Sequence, residues 1–309
     1  MRSSSPRVRA RWTSVAWLVC AALLLPSCRS SDGPALTHDA VEPDAAALPA
    51  YEALYESAER RIATLDRLWA RAVVGLRYRD EDGDLRRDQL EGHFQVVRPE
   101  RVALLLGKLG ETYLVLGSDA ERYWWIDLDQ SRAAVGDRTR AAGLSVEELG
   151  VPLLPGDLLL ALDLIRWPPP GDASVLGVTW SDRPDLDQPR TAAVRLAEGS
   201  RVRVVHIDVF TLDPMGVDLL DADGTQIGSS LLTQHGRVLN RAGLPVEPRM
   251  TGRAVIEVPE LDVRADFTFS GAEVSPRRPK PAAFDLDELL RRFRVTDVRR
   301  IGETLASNR

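Results

Sequence analysis

The sequence predicts a mainly antiparallel β protein with a few helices, of the α+β class. Two observations support this prediction. Many short segments alternate apolar and polar residues with a period of two, the pattern of a sheet with one buried and one solvated face. Turn-forming pairs such as Asp223-Gly224 separate these segments, whereas apolar residues at spacings of three and four occur in only a few stretches.

Composition and charge already exclude some classes of protein. Of the 309 residues, 44% are hydrophobic, which permits a sizeable core. The chain carries 40 basic and 46 acidic residues, and residues 1–27 contain four of the arginines and no acid. The remainder therefore has 36 basic and 46 acidic residues, a net charge of −10. Nucleic-acid-binding proteins usually carry a basic patch or domain, so no nucleic-acid partner is predicted.

The N-terminus has the pattern of an export signal. Arginines at positions 2, 7, 9 and 11 precede an apolar stretch at 13–25, which is too short to be read as a transmembrane helix. The sequence Leu25-Pro26-Ser27-Cys28 follows, and it resembles a bacterial lipobox, from which Pro26 departs. We therefore expect residues 1–27 to be a lipoprotein signal peptide and Cys28 to be lipidated. An ordinary secretory signal with a chance cysteine is the alternative.

Cys28 would be the only cysteine left after cleavage, because Cys20 lies within the apolar stretch. Disulfides within the mature chain are then excluded, whereas a thioether anchor accounts for the single thiol. Residues 28–50 are rich in alanine, proline, aspartate and serine and show no apolar period, so they are predicted to form a flexible tether from the lipidated Cys28.

The first half of the folded region is predicted to contain one helix followed by a meander of strands. Apolar residues recur at helical spacing over 51–69. The period then changes to two in segments at 71–79, 89–96, 101–106, 112–116 and 121–128.

Helices then interrupt the predicted sheet. Residues 145–148 have the sequence of a capping box. Residues 158–165 are apolar nearly all round, follow Pro155-Gly156-Asp157, and end before Trp167 and three prolines. A helix this short and this apolar is predicted to be buried in the domain rather than to span a membrane.

The second half again alternates as strands and closes with a helix. Strands are predicted at 175–180, 191–196, 202–211, 217–220, 226–232, 253–258 and 261–269. A proline-rich stretch then leads to a helix with Asp285 as N-cap, Glu288 at the third helical position, and Phe284 and Leu289 as a hydrophobic staple. The proline-rich stretch and this helix together make up the C-terminal segment, residues 276–309.

The sequence gives little support for catalysis. No G-x-S-x-G elbow and no spaced cluster of metal-ligating residues occurs, so we predict no enzyme, no metal and no cofactor. His206 and Asp208 share one strand face and leave a weak hydrolase alternative. They are expected instead to be an ordinary solvated strand pair.

Three stretches resemble the LolA/LolB lipoprotein-carrier superfamily. They are Gly92-His93-Phe94-Gln95, RPERVALLLGKLGE at 98–111, and GSDAERYWW at 117–125. The resemblance covers residues 51–275 in topology, although 181–250 has no clear counterpart. It implies a half-open antiparallel β-barrel whose mouth is plugged by helices and whose lining binds acyl chains.

The resemblance also indicates site residues. Leu109 matches an exposed leucine at a hairpin tip that passes lipoproteins to the membrane; the alternative is that it folds back onto the sheet. A curved sheet must cover its apolar face with another sheet, helices or a ligand. The predicted lining, which has no convergent charge, consists of Leu76, Tyr78, Phe94, Leu104, Leu106, Trp124, Ile126, Leu159 and Leu162. A helix that fills the space completely, leaving a dry core, is the alternative.

These inferences predict a monomeric envelope lipoprotein, tethered at Cys28 and facing the periplasm, that binds acyl lipid or a lipoprotein. A role in lipoprotein sorting is the expected function. The outer membrane is the expected location, because Arg29 follows the anchor where an aspartate would indicate inner-membrane retention. The alternative is a non-catalytic envelope sensor or scaffold that uses the same fold to contact another protein.

Overall fold

The computed structural model describes residues 47–63, 65–79, 83–98, 101–138, 154–186, 190–240, 245–275 and 278–301. All of them belong to one compact unit, Ala45–Arg309. The predicted signal peptide, Cys28, the tether as far as residue 46, and the capping box at 145–148 lie outside the described residues.

One large, mainly antiparallel sheet dominates the described residues. The strands of its N-terminal half are β1 (Arg67–Arg79), β2 (Leu85–Val97), β3 (Arg101–Lys108), β4 (Glu111–Ser118), β5 (Arg122–Asp127) and β6 (Arg132–Asp137). Those of its C-terminal half are β7 (Val175–Trp180), β8 (Thr191–Glu198), β9 (Arg201–Asp208), β10 (Pro214–Leu220), β11 (Gln226–Thr233), β12 (Gly236–Leu239), β13 (Pro245–Met250), β14 (Arg253–Val258), β15 (Val263–Val274) and β16 (Asp297–Arg300).

The strand order is β16-β6-β5-β4-β3-β2-β1-β15-β14-β11-β10-β9-β8-β7, with β12 and β13 beside this path. The sheet does not close, because β16 and β7 are its two edges. Its two ends nevertheless contribute to one core: Leu116 of β4 and Val194 of β8 belong to the same buried cluster. The sheet therefore curls into a half-open barrel, and the predicted fold class is confirmed.

Three α-helices accompany the sheet in the described residues: α1 (Tyr51–Ile62), α2 (Pro155–Ala161) and α3 (Leu286–Phe293). The helix predicted for 51–69 is too long, since β1 already begins at Arg67. Leu68, Ala70 and Ala72 are buried alternately with half-buried or exposed neighbours, so sheet pairing decides the structure there. No helix among these has the length and hydropathy needed to cross a bilayer.

The inner face of the sheet, defined as the face that packs on α1 and α2, holds the main core. Leu54 and Ile62 of α1 and Leu158 of α2 are fully buried there. The paired aromatic rings of Phe94 and Phe269, on β2 and β15, lie 5.5 Å apart between centroids in the same core. The predicted burial of the apolar segment at 158–165 agrees with this packing, although its helix ends at Ala161.

The outer face of strands β3–β6 packs on α3. Val115, Trp124 and Ile126 form a second buried cluster with Leu286 and Leu289 of that helix. The helix begins as the sequence predicts, because Asp285 Oδ1 accepts a hydrogen bond of 3.0 Å from the backbone N–H of Glu288. Both faces of β3–β6 are thus covered by protein.

Candidate functional site

The candidate site is the inner face of the sheet together with the helix that covers it. Residues of the predicted lining that meet in the main core are Phe94, Leu104 and Leu106 on the strands and Leu159 and Leu162 in or just after α2. On the sheet, Phe94 pairs with Leu104 across β2 and β3. These five side chains are buried in one cluster, which both the predicted lining and the alternative of a dry core require.

Two further predicted lining residues lie toward the end of β1. Leu76 is half-buried and packs against the main core. Tyr78 is half-buried as well, and its hydroxyl donates a hydrogen bond of 2.9 Å to Asp88 Oδ2. Burial and this hydrogen bond raise the pKa of Tyr78. The two residues therefore form part of the rim of the inner face.

Trp124 and Ile126 do not line the inner face; the structure places both on the outer face, under α3. Trp124 pairs with Gly117 across β4 and β5, and a Cβ at Gly117 would lie 2.6 Å from the indole Cε2. The missing side chain at Gly117 is what lets the indole lie flat on the sheet. Trp125, the next residue, is half-buried and packs against the main core instead.

The inner face is filled in this structure. Between α2 and strands β10, β11 and β14 a cavity of about 30 Å³ remains, lined by residues that include Ala161, Val217 and Ile256. Pockets that bind drug-sized ligands measure roughly 300–1,000 Å³. An acyl chain therefore fits on this face only if α2 moves away from it.

A buried charge network lies beneath the end of α2, contrary to the predicted absence of charge in the lining. Asp163 is fully buried, and its carboxylate pairs with Arg61 of α1 and lies 3.4 Å from Arg203 Nη1 of β9. Arg61 Nη1 also donates to the backbone carbonyl of Asp163 at 2.9 Å, and Trp167 Nε1 donates to Asp163 Oδ1 at 2.9 Å. One carboxylate thus links both helices to the sheet.

The environment of this network has an excess of guanidinium groups. Arg203 is 0% exposed, and its Nη2 lies within ion-pair distance of Glu198 Oε1, at 2.9 Å. Neither Nη2 nor Nε makes a well-directed hydrogen bond among the described residues. Burial, followed by the nearby charge of Arg61, lowers the pKa of Arg98 to about 10. Charges withdrawn from water are costly unless they are paired and hydrogen-bonded, so Asp163 is central to this region.

Asp163 also has an unusual backbone. Its φ of 47° lies in the left-handed region immediately after α2. Aspartate adopts this region more readily than most residues, yet such positions persist only where the surrounding structure fixes them. The ion pairs of its side chain supply that constraint, and the turn directs the chain toward Trp167.

Two more polar contacts hold α2 on the sheet. Asp157 Oδ1 accepts a hydrogen bond of 3.1 Å from Arg201 Nη1. Burial raises the pKa of Asp157, and the charge of Arg201 opposes that shift. At the other end of the helix, Ser230 Oγ donates to the carbonyl of Ala161 at 2.6 Å and accepts from the Val217 N–H at 3.1 Å.

The β3–β4 hairpin presents its tip to solvent. Leu109 and Gly110 have φ values of 51° and 87°, both left-handed as a two-residue type I′ turn requires. Leu109 is 101% exposed, so it does not fold back onto the sheet. At the base of the tip, the side chain of Lys108 pairs with Asp88 and lowers the pKa of that carboxyl.

His206 lies on the outer face, but it is buried rather than solvated and does not pair with Asp208. Its Nδ1 lies 2.8 Å from Ser181 Oγ and its Nε2 lies 2.9 Å from Asp218 Oδ2. The loop after β7, which begins at Ser181, covers this strand face. These hydrogen bonds join the loop to strands β9 and β10. Because Ser181 and His206 are 4% and 1% exposed, they offer no accessible nucleophile.

Sequence reasoning missed Asp163, Arg61 and Arg203. The signal for Asp163 is present, since it is the one charged residue between Leu158 and Ile165. Its partners are 102 and 40 residues away, which no local pattern connects. Within the described residues, no group of three His, Cys, Asp or Glu side chains is arranged to hold a metal ion.

Comparison with known proteins gives structural similarity only. No protein-family model matches the sequence, and no curated protein matches it. A LolA superfamily protein from Nitrosomonas europaea aligns at 10% identity over 76% of this chain and 97% of its own, with a TM-score of 0.47. A DUF1329 family protein from Desulfovibrio piger aligns at 11% identity over 77% and 98%, with a TM-score of 0.48.

A third solved structure is a domain named for outer membrane lipoprotein sorting, from Vibrio parahaemolyticus. It aligns at 10% identity over 76% of this chain and 97% of its own, with a TM-score of 0.49. The solved structures similar to this chain thus include a LolA superfamily protein and a domain named for outer membrane lipoprotein sorting.

Proposed function

We propose that this protein is a membrane-anchored envelope lipoprotein that binds an acyl lipid or a lipidated protein on the inner face of its half-open sheet. The observation that carries the proposal is the cover of that face. The apolar strands are shielded by α1 and by α2, a helix of seven residues, and not by a second sheet. A short helix can be displaced while the sheet keeps its hydrogen bonds.

Replacement of α2 by an acyl chain on the inner face is energetically reasonable. Leu158, Leu159 and Leu162 pack on the inner face, and an acyl chain would replace their contacts with contacts of the same apolar kind. Each methylene removed from water contributes about 0.8 kcal/mol. A chain of a dozen methylenes therefore offsets the loss of a few leucine contacts, provided that the polar contacts of α2 are also replaced.

The tip of the β3–β4 hairpin is proposed as the segment that meets the membrane. Leu109 is fully exposed, and no packing within the described residues explains an apolar side chain at this site. A left-handed conformation also costs a leucine about 1–2 kcal/mol, which glycine or asparagine would largely avoid. An exposed apolar side chain in a strained conformation supports a role outside the domain, namely insertion into lipid during transfer.

Anchoring and location belong to the same proposal. Lipidation at Cys28 would tether the domain by residues 29–50 and hold it close to the membrane that Leu109 would contact. The outer membrane, facing the periplasm, is the proposed location. No catalytic role is proposed, and a monomer is sufficient for this function.

Native mass spectrometry tests the proposal. The mature chain with Cys28→Ser would be purified gently from a lipid-containing host. We expect a bound species of acyl-lipid mass that is lost in Leu76→Asp, which places a charge on the half-buried rim of the inner face. Leu176→Asp is the matched control, because Leu176 is 51% exposed on the edge strand β7. A ligand-free mass, with no uptake of added fatty acid, would contradict the proposal.

The second candidate is a non-catalytic envelope module that contacts another protein. The filled inner face favours it, since the cavity beneath α2 measures about 30 Å³. In this case α2 would stay in place, and a partner would bind the surface of the domain. Retention of the partner by a variant whose α2 is cross-linked to the sheet would support this alternative over the carrier.

A further inference from the structure

We infer that Asp163 occupies the position of an anionic head group, and that the ligand is an amphiphile whose anion binds Arg203 and Arg61 when α2 leaves. This inference rests on the proposed function, because it requires that an acyl chain replaces α2. It names the chemical class of the ligand: an apolar chain with a phosphate or carboxylate at one end.

Displacement of α2 would move one charge of the network and leave two in place. Asp163 lies two residues beyond the end of α2, so displacement of the helix removes its carboxylate from the network. Arg203 belongs to β9 and Arg61 to α1, and neither needs to move with α2. The two guanidinium groups would then remain at the inner face without the carboxylate that links them.

Two arginines left without this carboxylate would be energetically costly. Arg203 is 0% exposed and Arg61 is 9% exposed, so water replaces the lost carboxylate poorly. Glu198 still lies near Arg203, but Asp163 is the carboxylate that faces both arginines. An unpaired charge in such an environment is strongly unfavourable. A ligand that brings its own anion removes this cost, whereas an uncharged ligand does not.

The guanidinium of Arg203 has hydrogen-bond donors that Asp163 does not use. Arg203 Nε has no hydrogen-bond partner among the described residues, although it is fully buried. The guanidinium plane presents its donors in a fork that matches phosphate and carboxylate oxygens. Asp163 reaches Arg203 only through Nη1, at 3.4 Å. An anion that is not tethered to α2 could approach this guanidinium more closely and use the remaining N–H group.

The residues around Arg61 and Asp163 indicate where the apolar chain of such a ligand would lie. Trp167, Leu54 and Ile207 lie beside Arg61 and Asp163 around one crevice. The main core continues from there along the sheet to Val205 and Val217. A ligand with its anion on the two arginines would therefore extend its chain over the apolar surface that α2 now covers.

Titration calorimetry with matched probes tests the inference on the mature chain with Cys28→Ser. Octyl phosphate and octanol share an apolar chain and differ in charge, octanoate provides the carboxylate, and inorganic phosphate lacks the chain. We expect octyl phosphate to bind about tenfold or more tightly than octanol, because its anion pairs with buried arginines. Asp163→Asn should raise this ratio by a further factor of about ten, since it removes the competing carboxylate.

Asp157→Asn is the matched control. It also removes a carboxylate that holds α2 on the sheet, opposite Arg201, but that carboxylate faces neither Arg61 nor Arg203. It should change the affinities for octyl phosphate and octanol by the same factor. Arg203→Met should bring the ratio close to one. If Arg203→Met does not fold, the double variant with Asp163→Asn removes both charges of this ion pair, keeps Arg61 as the remaining guanidinium, and should bring the ratio below that of Asp163→Asn alone.

The outcomes separate this inference from the proposed function. Equal binding of octyl phosphate, octanoate and octanol, unchanged by Asp163→Asn, would overturn the anionic head group and leave an apolar carrier. Inorganic phosphate that binds as tightly as octyl phosphate would also overturn it, since the arginines would then form a site for free anions. If no probe binds the parent chain or Asp163→Asn, both the inference and the proposed function fail.

Discussion

The helices α2 and α3 are of similar length but are held on opposite faces of the sheet by different interactions. α3 has a side-chain cap from Asp285, and its apolar residues pack against Trp124 and Ile126. α2 has no side-chain cap at its N-terminus and is followed by the buried carboxylate of Asp163. Apolar packing fixes α3, whereas α2 depends on charged contacts as well as on its leucines.

This difference suggests what each helix is for. A helix held by side-chain packing and its own cap needs no outside partner and has no reason to move. Buried ion pairs are weak evidence for stability, because desolvation offsets much of their attraction. Their retention under α2 is explained if the contacts are meant to be exchanged for those of a ligand.

The largest expected loss of stability follows a substitution beneath α3. Trp124→Ala should reduce the free energy of unfolding by about 3–5 kcal/mol, because it opens a cavity among Val115, Ile126 and Leu289. Urea unfolding followed by circular dichroism measures this loss. The folded fraction of this variant should bind ligand as the parent does, because Trp124 lies on the opposite face from the proposed site. A variant with the stability of the parent but no ligand binding would show that the two faces are not independent.

A smaller loss is expected on the α2 side. Ser230→Ala leaves the carbonyl of Ala161 and the N–H of Val217 without their partner, which costs about 1–3 kcal/mol. Because the loss concerns the end of α2, hydrogen exchange of residues 158–162 should accelerate more than that of α3. An equal change in both helices would show that they unfold as one unit.

The cap of α3 should have an effect of about 1 kcal/mol. Asp285→Ala removes the acceptor for the Glu288 N–H, whereas Asp285→Asn keeps one. Thermal unfolding should separate the two variants, with the asparagine close to the parent. Since α3 is not proposed to move, neither variant should alter the affinity for an acyl ligand.

The smallest effect on stability is expected at the hairpin tip. Leu109→Asn keeps the left-handed turn with a residue that tolerates it, so the free energy of unfolding should stay the same or rise by no more than about 1 kcal/mol. Release of bound acyl ligand to lipid vesicles should nevertheless slow. Transfer at the parental rate would remove the proposed role of Leu109.

Much of the fold could be predicted from the sequence because period-two alternation and capping are local signals. The strands at 175–180 and 253–258 and the start of α3 at Asp285 are examples. The face of Trp124 could not be predicted, since Tyr123, Trp124, Trp125 and Ile126 form an unbroken apolar run. Where helices or other segments cover both faces of a strand, apolar residues occur on both faces, and the sequence pattern does not show which face is the inner one.

The charge network could not be predicted for a different reason. Arg61, Asp163 and Arg203 belong to three separate elements, and only the curling of the sheet brings them together. The same holds for His206, whose partners Ser181 and Asp218 lie 25 and 12 residues away. Long-range polar pairs depend on the tertiary fold, so a single sequence shows the residues without their pairing.

Hydrogen exchange of the mature chain, with and without a bound acyl ligand, tests the central claim most directly. If α2 is an exchangeable cover, saturation with ligand will accelerate exchange in residues 155–162 and leave residues 286–293 of α3 unchanged. The contradictory result is a ligand that binds while the amides of α2 keep their protection. In that case the acyl group lies elsewhere, and α2 is a permanent part of the core.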